Sequence, residues 1–538
     1  MNRMTGGEVV NETLVRAGVD HVFGIVSVHN IPIYDAILRA GKIRMIDVRH
    51  EQGALHAADG YSRATGKLGV AITSTGPGAT NAMTGLFEAG FASSRVLMIT
   101  GQTETVHYGK GKGVLHEAEN QLAMLRQVTR TTESPRRTED IPAALARVIR
   151  DITTGRPQPG AIEIPVDLQY ASADLEIPSD IIGPRVPVDE AAVGAATTRI
   201  AESSRRVIIA GGGVIRSGAA EELASLAEAL DAVVFTTTNG RGAIAEDHPL
   251  SGGTFLMQSR AAVASGDLVI AVGTRFQGGS TGNFSFEMPG QLLHIDADPH
   301  MVGLNYPADI AVIGDAKLAL QAILDGLNAE AGDEDFRAGV QAAVAAARKA
   351  ARERMGPDFE VIMDTIRDNL PRDAHIVRDA TVPSYVWGNT LIPILQPQTS
   401  HHSTSAAIGP GLPLAIGAAI GSGQKAVVIQ GDGGFMLNMS ELATAVQYRA
   451  PVIVCLFNDH GYGVLRRIQS SRFEGRTTGV DLATPDFAKV AEAVGLKGIA
   501  VKGTDGFAKA FSEALDTDGP VLLDIDMSSL APMKLFGS

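Results

Sequence analysis

The fold of this chain is decided by one stretch, Val427-Val428-Ile429-Gln430-Gly431-Asp432-Gly433-Gly434-Phe435. Its β-branched start is typical of a buried strand, and its glycines predict a tight turn into a helix that begins near residue 438 or 440. Such a turn lets backbone N–H groups meet a phosphate at the start of a helix, and Asp432 places a carboxylate beside it. An ordinary turn with a capping aspartate has the same pattern, so the stretch alone leaves both interpretations open.

The next predicted strand, residues 451–457, also ends in a polar, glycine-containing turn. In order, that turn reads Asn458, Asp459, His460, Gly461, Tyr462 and Gly463. Two carboxylates at neighbouring strand ends, with a backbone carbonyl presented by the glycine loop, suit Mg²⁺, which takes few protein oxygens together with ligand phosphates. The candidate metal ligands are therefore Asp432, Asp459 and the carbonyl of Gly461.

The same alternation of short β-branched runs with Ala- and Leu-rich helical patterns occurs in three segments of the chain, which predicts parallel α/β layers. The length of 538 residues fits three or four domains. We predict domains over residues 1–170, 186–330 and 356–538. A proline-containing linker separates the first two, and a charged, Ala-rich helix over 329–354 connects the last two.

The composition excludes several classes of protein. The net charge of −14 leaves no basic surface for a nucleic acid. A single cysteine, Cys455, excludes an intramolecular disulfide and a multi-cysteine metal site, and it fits a reducing cytoplasm. The chain contains neither a signal-peptide pattern nor the ~20 uninterrupted apolar residues that a membrane span needs. We therefore expect a soluble cytoplasmic protein without a nucleic-acid or membrane partner.

The motifs resemble those of the thiamine diphosphate (ThDP) enzymes of the acetohydroxyacid synthase, pyruvate decarboxylase and benzaldehyde lyase superfamily. The cofactor motif of that superfamily is Gly-Asp-Gly, followed after about two dozen residues by Asn-Asn. This chain has Gly431-Asp432-Gly433 and Asn458-Asp459, so an aspartate replaces the second asparagine. The resemblance covers nearly the whole chain and includes, in order, Arg49-His50-Glu51, Gly76-Pro77-Gly78-Ala79-Thr80-Asn81, Ile164-Pro165-Val166-Asp167, Val272-Gly273-Thr274-Arg275 and Glu441-Leu442-Ala443.

The resemblance implies three doubly wound α/β domains with mainly parallel sheets: a pyrimidine-binding, a central and a diphosphate-binding domain. It implies ThDP and Mg²⁺ as cofactors, with ThDP held between the first domain of one subunit and the third domain of a partner, in a homodimer or a homotetramer. The implied cofactor-binding residues are Glu51, Gly76, Asn81, Ala406, Ile408, Gly431, Asp432, Gly433, Gly434, Asp459, Gly461, Tyr462 and Gly463.

Glu51 is the first catalytic candidate that the resemblance supplies. In the family, this glutamate hydrogen-bonds the pyrimidine N1′ and promotes the imino tautomer that removes the thiazolium C2 proton, giving the ylid. A glutamate that caps a helix is the plainer interpretation. Ile408 aligns with the bulky residue that props the cofactor into its bent shape, and Ala406 with a carbonyl that meets the pyrimidine amino group.

Two histidines are the other catalytic candidates. His116 stands where acetohydroxyacid synthases and benzaldehyde lyase have an active-site glutamine, and a histidine there could transfer protons near neutral pH. His29 lies in a loop that lines the cleft in the family. For each, a hydrogen-bonded loop histidine without a catalytic role is the alternative. For His401 and His402, which precede the cofactor loop, a structural role is favoured.

The implied reaction is decarboxylation of a 2-oxo acid, carboligation, or both, through a C2 ylid and an enamine or carbanion. Ile468 replaces a tryptophan of the biosynthetic synthases, which weakens that interpretation. The alternatives are an acetolactate-synthase-type transferase, a 2-hydroxy ketone or 2-hydroxyacyl-CoA lyase, and a catalytically silent member. A glycine turn at residues 211–213 permits a nucleotide, but the dinucleotide fingerprint is incomplete, so we expect no tightly bound FAD or ADP.

Overall fold

A computed structural model of the protein describes residues 2–255 and 260–533. It contains three six-stranded parallel sheets flanked by helices, one in each predicted domain, and a two-stranded antiparallel sheet. The α/β fold class is thus confirmed. Residues 256–259 of the predicted central domain and 534–538 of the predicted third domain lie outside the described ranges, and the domain boundaries stay predictions. Within the described ranges, no helix is both long enough and apolar enough to span a bilayer.

The first sheet has the strand order β3-β2-β4-β5-β7-β6. Its strands are β2 (His21–Gly24), β3 (Arg44–Asp47), β4 (Gly69–Thr73), β5 (Val96–Gln102), β6 (Thr131–Glu133) and β7 (Gly160–Pro165), and β1 (Asn2–Thr5) pairs separately with β8 (Ser172–Leu175). The helices are α1 (Gly6–Arg16), α2 (Ile31–Ala40), α3 (Glu51–Thr65), α4 (Pro77–Asn81), α5 (Met83–Ala92), α6 (Gln121–Arg126), α7 (Ile141–Thr153) and α8 (Val166–Tyr170). The central strands β4 and β5 are buried along their whole length, as their continuous apolar runs predict.

The second sheet has the order β11-β10-β9-β12-β13-β14. Its strands are β9 (Arg206–Ala210), β10 (Val233–Thr236), β11 (Ser251–Thr254), β12 (Leu268–Val272), β13 (Gln291–Asp296) and β14 (Ile310–Ile313). The helices are α9 (Glu190–Ala201), α10 (Gly212–Ser217), α11 (Ala220–Leu230), α12 (Arg260–Val263), α13 (Gly278–Thr281) and α14 (Ala316–Gly326), and the long connecting helix is α15 (Glu334–Met355).

The third sheet has the order β16-β15-β17-β18-β20-β19. Its strands are β15 (His375–Arg378), β16 (Ser400–His402), β17 (Ala426–Gly431), β18 (Val452–Asn458), β19 (Lys497–Val501) and β20 (Val521–Asp526). The helices are α16 (Pro357–Asn369), α17 (Gly411–Ser422), α18 (Asp432–Phe435), α19 (Glu441–Gln447), α20 (Gly463–Arg472), α21 (Phe487–Val494) and α22 (Gly503–Asp516). The helix expected after the glycine turn begins at Glu441, and the turn itself forms α18.

The first and third parts of the chain pack on each other through α3 and α17. The two helices approach so closely that the carbonyl of Ala57 lies where a side chain on Gly417 would stand. At the start of α19, the Glu441 carboxylate accepts hydrogen bonds from the backbone N–H groups of Arg49 and His50, at 3.1 and 3.0 Å. These contacts hold the start of α3 against the third sheet.

Each six-stranded sheet reverses its strand order at an interior point: between β2 and β4 in the first, between β9 and β12 in the second, and between β15 and β17 in the third. The loops that follow the two strands at such a point run in opposite directions and leave a crevice, which is where ligands bind in doubly wound folds. His29 follows β2, Gly76 follows β4, and Asp432 follows β17. The predicted site residues therefore lie at two of the three reversal points.

Candidate active site

A cleft of about 230 Å³ opens at the reversal point of the third sheet. It is lined by ten of the predicted residues, namely Ala406, Ile408, Gly431, Asp432, Gly433, Gly434, Asp459, Gly461, Tyr462 and Gly463. Residues that the motifs did not identify complete the wall, among them Thr381 and Tyr385 after β15 and Met527 after β20. The sequence-distant loops after β17 and β18 thus form one surface, as their positions at neighbouring strand ends predict.

The two candidate metal-binding carboxylates face each other at this cleft. Asp432 is fully buried and accepts hydrogen bonds from the backbone N–H groups of Gly461, at 2.8 Å, and Asp459, at 3.4 Å. Burial, followed by the nearby charge of Asp432, raises the pKa of Asp459 to about 6. Arg466 Nη1 lies 3.4 Å from Asp459 Oδ2. Two carboxylates held together at this depth favour a shared cation.

No group of three or more His, Cys, Asp or Glu side chains suited to a metal occurs in residues 2–255 and 260–533. Any cation held by Asp432 and Asp459 would therefore take its remaining ligands from backbone carbonyls, water or a bound anion. The Gly461 carbonyl lies in the same cleft, 3.2 Å from the position that a Cβ on Gly433 would take. That composition of ligands is typical of Mg²⁺ bound with a phosphate-containing molecule.

The glycines of the cleft provide room for a ligand close to the backbone. A Cβ on Gly433 would lie 2.7 Å from the ring of Tyr462, and one on Gly463 would meet the Asp459 carboxylate. Because either side chain would displace a group that forms the cleft, both positions need glycine. Gly463 is also the first residue of α20. The positive potential at the start of this helix therefore acts at the side of the cleft where Asp432 and Asp459 lie.

Asp379, which the motifs did not identify, holds the loop that carries Ala406 and Ile408. Its buried carboxylate accepts hydrogen bonds from the backbone N–H groups of Gly409, at 3.0 Å, and Gly411, at 2.9 Å. Burial raises the pKa of Asp379. The available sequence signal was its position directly after strand β15, at the same sheet edge as Asp432.

Glu88 of α5 holds the beginning of the same loop from the first domain. It is fully buried and accepts hydrogen bonds from the backbone N–H groups of Thr404, at 2.7 Å, and Ser405, at 2.9 Å. Arg63 lies 2.9 Å from its carboxylate. The buried charge is thus paired, and it fixes the entry to Ala406, whose backbone has a left-handed φ of 61°.

The remaining predicted residues gather at the reversal point of the first sheet. Glu51 is the first residue of α3, and the side-chain amide of Asn81 donates a hydrogen bond to its Oε2 at 3.0 Å. Gly78, in the turn that Gly76 begins, would place a Cβ 3.1 Å from Glu51 Oε1. Glu51, Gly76 and Asn81 therefore occupy one small region.

His29 and His116 lie side by side in that region, with ring centroids 5.3 Å apart. His29 is buried, and burial together with the proximity of His116 lowers its pKa. His116 Nδ1 is 3.3 Å from Ser74 Oγ, which accepts a hydrogen bond from Ser27 at 2.8 Å. A neutral imidazole beside a second imidazole and a hydroxyl chain is an arrangement suited to proton transfer.

Within one chain, the residues at the reversal point of the first sheet do not line the third-sheet cleft. Every described residue that lines the third-sheet cleft has a number of 380 or higher, and Glu51, His29 and His116 are not among them. His401 is also remote from the cleft wall, since it packs in the core with Nε2 3.0 Å from His375 Nδ1.

The reversal point of the central sheet holds the glycine turn considered for a nucleotide. Arg216 crosses this turn, with its guanidinium where a side chain on Gly212 would stand. It donates hydrogen bonds to the backbone carbonyls of Ala92 and Ser93 in the first domain, the latter at 2.6 Å. This arginine connects the two domains across the turn.

Comparison with known families matches three domains along the chain. Residues 4–124 match the N-terminal TPP binding domain of thiamine pyrophosphate enzymes, residues 193–323 the central domain, and residues 382–525 the C-terminal TPP binding domain. The chain belongs to the thiamine pyrophosphate (ThDP) enzyme family. In this ThDP enzyme, the predicted site residues at the reversal points of the first and third sheets lie within the two TPP binding domains.

Relatives of this ThDP enzyme have two kinds of name. A probable acetolactate synthase large subunit of Methanocaldococcus jannaschii is 34% identical, over 98% of this chain and 93% of that protein. A probable 2-ketoarginine decarboxylase of Pseudomonas aeruginosa is 35% identical, over 91% of this chain and 88% of that protein. The acetolactate synthase large subunit of Corynebacterium glutamicum is 32% identical, over 100% of this chain and 89% of that protein.

Proposed function

We propose that this ThDP enzyme requires ThDP and Mg²⁺ and converts a 2-oxo acid by decarboxylation, by carboligation, or by both. The observation that carries the proposal is the cleft that joins Ile408 to the facing carboxylates of Asp432 and Asp459. The apolar Ile408 suits the ring system of ThDP, the glycine-lined floor suits its diphosphate, and the two carboxylates suit the Mg²⁺ that binds with the diphosphate. When bound, ThDP supplies the nucleophilic carbon and accepts the electron pair left by the departing group.

The chain's own groups divide into those that hold the cofactor and those that move protons. Asp432, Asp459 and the Gly461 carbonyl would hold Mg²⁺. Glu51 would hold a proton shared with the cofactor's pyrimidine nitrogen, and its hydrogen bond from Asn81 fixes the direction of its carboxylate. Within one chain Glu51 is only half-buried, while Gly53 and Ala54 behind it are buried.

His29 and His116 would move protons at the substrate. The lowered pKa of His29 keeps its ring neutral at neutral pH, so it is ready to accept a proton. His116 would deliver a proton to the substrate carbon after the carboxylate has left as CO₂. His29 would accept the proton that the substrate hydroxyl loses when its bond to the cofactor breaks and the aldehyde is released. Without that delivery, the carbon would add to a second carbonyl compound, which is the carboligase outcome.

The relatives support both outcomes, since one is named a decarboxylase and others are named acetolactate synthases. The acetolactate-synthase-type transferase is our second candidate, supported by the names of these near-full-length relatives. The histidine pair and Ile468 support the decarboxylase. Lyase activity on 2-hydroxy ketones or 2-hydroxyacyl-CoA would use the same groups and remains a further alternative. For the central domain we propose no tightly bound FAD or ADP, because the dinucleotide fingerprint at the glycine turn is incomplete.

A groove beside His29 suggests the kind of 2-oxo acid. Its lining includes Glu104 and Asp167, with Val28, Leu115 and Tyr170, and no lysine or arginine of the described chain is among the lining residues. An apolar wall with carboxylates and an aromatic ring suits an alkyl chain that ends in a cation. This supports a basic 2-oxo acid, and the 2-ketoarginine decarboxylase among the relatives is consistent with it.

We further propose that two copies of the chain build each active site, in a homodimer or a homotetramer. The support is the separation of Glu51 and the histidines from the third-sheet cleft within one chain. Apolar side chains exposed near the cleft, Met436, Leu437 and Leu465, give a second copy a surface to bury.

The test is CO₂ release from aliphatic, aromatic and basic 2-oxo acids, with ThDP and Mg²⁺ and after their removal, together with an assay for acetolactate. We expect cofactor-dependent release, highest with a guanidino acid and lower with its neutral ureido analogue. Acetolactate as the main product from pyruvate would favour the second candidate. Equal release without cofactors, or none from any acid, would refute the proposal.

Cofactor binding is tested separately by calorimetry with ThDP and Mg²⁺. Asp432→Asn is expected to weaken ThDP affinity by at least ~10-fold, because Asp432 contributes a metal ligand and anchors the Gly461 loop. Asp459→Asn is expected to have a smaller effect, because the superfamily motif itself has an asparagine at that position and because Asp459 does not anchor the Gly461 loop. Unchanged affinity in Asp432→Asn would contradict the metal assignment.

A further inference from the structure

A buried carboxylate that no motif identified lies beneath the histidine pair. Glu163, in the interior strand β7, has no solvent exposure. Its Oε2 accepts hydrogen bonds from the side-chain amides of Gln102, at 3.1 Å, and Gln121, at 3.0 Å. Its Oε1 accepts from the hydroxyl groups of Tyr108 and Ser134, the latter at 2.8 Å. All four donors are uncharged, so the cost of burying this carboxylate is offset by hydrogen bonds and not by an ion pair.

Two of these donors lie at opposite ends of the loop that carries His116. The loop comprises residues 103–120, between β5 and α6. Tyr108 lies in its first part, and Gln121 directly follows its end. Because both side chains bind the same carboxylate, Glu163 connects the first part of the loop to the residue that follows its end. Ser134 directly follows β6, outside the loop, and so does not connect the two ends of the loop.

Gln121 connects the carboxylate to the Gly76 turn. Its amide nitrogen donates to Glu163, while its Oε1 accepts hydrogen bonds from the backbone N–H of Gly76 and the hydroxyl of Thr75, both at 2.8 Å. This orientation of the amide is the one that the carboxylate dictates, since only the nitrogen can donate to it. Glu163 thereby determines which end of Gln121 faces the turn.

The turn at Gly76 also contacts His116. Gly76 has a positive φ of 57°, and the carbonyl of His116 lies where a side chain on Gly76 would stand. His116 itself has a φ of 58°, a left-handed conformation that costs a non-glycine residue about 1 kcal/mol or more. Such a conformation persists only where the surrounding contacts hold it.

From these contacts we infer that Glu163 is a positioning residue for proton transfer. Through Tyr108 and Gln121 it holds the 103–120 loop on the Gly76 turn. The held loop then orients His116 towards Ser74. The inference rests on the proposed catalytic role of His116. Glu163 touches neither substrate nor cofactor in this role, and its effect passes through the loop.

The test compares two single-oxygen deletions at the same carboxylate. Tyr108→Phe removes the hydrogen bond from the loop, and Ser134→Ala removes one from outside it. With the 2-oxo acid that the unaltered enzyme uses best, we expect Tyr108→Phe to lower kcat about 10-fold with little change in KM, as misorientation of a proton donor predicts. Ser134→Ala is expected to leave kcat within about 2-fold. Equal effects of both would overturn the inference.

A double-mutant cycle shows whether the effect passes through His116. In a His116→Gln background, Tyr108→Phe should cost little further kcat, because the group it misorients is already absent. The pH limb of kcat that disappears in His116→Gln should move in Tyr108→Phe and stay in Ser134→Ala. Additive losses, or an unmoved limb, would overturn the inference.

Hydrogen exchange keeps this test separate from the proposed function. Amides of residues 103–120 should exchange faster in Tyr108→Phe and at the unaltered rate in Ser134→Ala, whether or not the chain turns over a 2-oxo acid. Unchanged exchange in Tyr108→Phe would refute the positioning role. Loop exchange as expected in a chain without any 2-oxo acid activity would refute the proposed function and the catalytic part of the inference.

Discussion

Glu51 begins α3 with one side-chain partner, the amide of Asn81. If it shares a proton with the cofactor, Glu51→Gln should keep the shape of the site and remove the group that exchanges the proton. We expect kcat to fall at least ~100-fold, the usual range for loss of a general acid or base, while ThDP affinity changes little. Steady-state CO₂ release and calorimetry measure the two quantities. Glu334 is exposed, so Glu334→Gln is the control. Full activity in Glu51→Gln would mean that Glu51 only caps the helix.

Residues whose role depends on local spacing were the ones that the sequence identified. Asp432 and Asp459 stand in short turns after β-branched runs, so their neighbours reveal them. Glu88 and Glu163 could not be identified in this way, because each acts on backbone or side chains from a distant part of the chain. Glu88, for example, holds Thr404 and Ser405. Only the fold brings such partners together, and buried carboxylates have no sequence signature of their own.

At the level of helices, the contact between α3 and α17 sets the position of Glu51. The carbonyl of Ala57 occupies the space of a side chain on Gly417, so Gly417→Ala forces the helices apart. We expect the free energy of unfolding to fall by about 1–3 kcal/mol, despite the better helix propensity of alanine. Gly194→Ala is the matched control, since a methyl group there meets nothing within 4 Å on α9 and should be neutral or stabilising. Urea unfolding of both variants measures the difference, and equal stability would mean that the helices separate without cost.

The interior strands of all three sheets were predictable from the sequence, and most of the edge strands were not. The strands at 69–73, 207–210 and 426–430 lie in sheet interiors and read as continuous apolar runs. The edge strands β6, β11, β14, β16 and β19 were not predicted. They are short, and β6 and β19 are largely half-buried or exposed. Except for the apolar β14, these edge strands carry a weaker apolar pattern, because an edge strand packs on fewer neighbours. They form because the adjacent strand offers free backbone groups.

For the molecule as a whole, buried histidines predict loss of stability in acid. Burial lowers the pKa of His56 and of His375 to about 4, from 6.5. Near His56, Glu88 raises the pKa and Arg63 lowers it, both less than burial does. Because the unfolded chain binds the protons first, stability is complete above pH 6.5 and falls as the pH drops towards 4, by about 3 kcal/mol for each histidine. Urea unfolding between pH 7 and pH 4.5 measures this. His56→Gln should flatten the dependence and the exposed control His300→Gln should not, whereas parallel curves for all three proteins would contradict the prediction.

The assembly itself can be tested by complementation, because Glu51 and Asp432 would meet only across two copies. Glu51→Gln and Asp432→Asn should each be nearly inactive alone. In a mixed dimer of the two, one site receives both substitutions and the other receives neither. Random pairing of equal amounts makes half of the dimers mixed, so about a quarter of all sites should be intact and activity should return to about a quarter of the unaltered level. If instead each chain completed its own site, every site would carry one substitution and mixing would restore nothing. Co-refolding the two variants and measuring CO₂ release therefore decides between a shared site and a single-chain site, and mixing either variant with itself supplies the baseline.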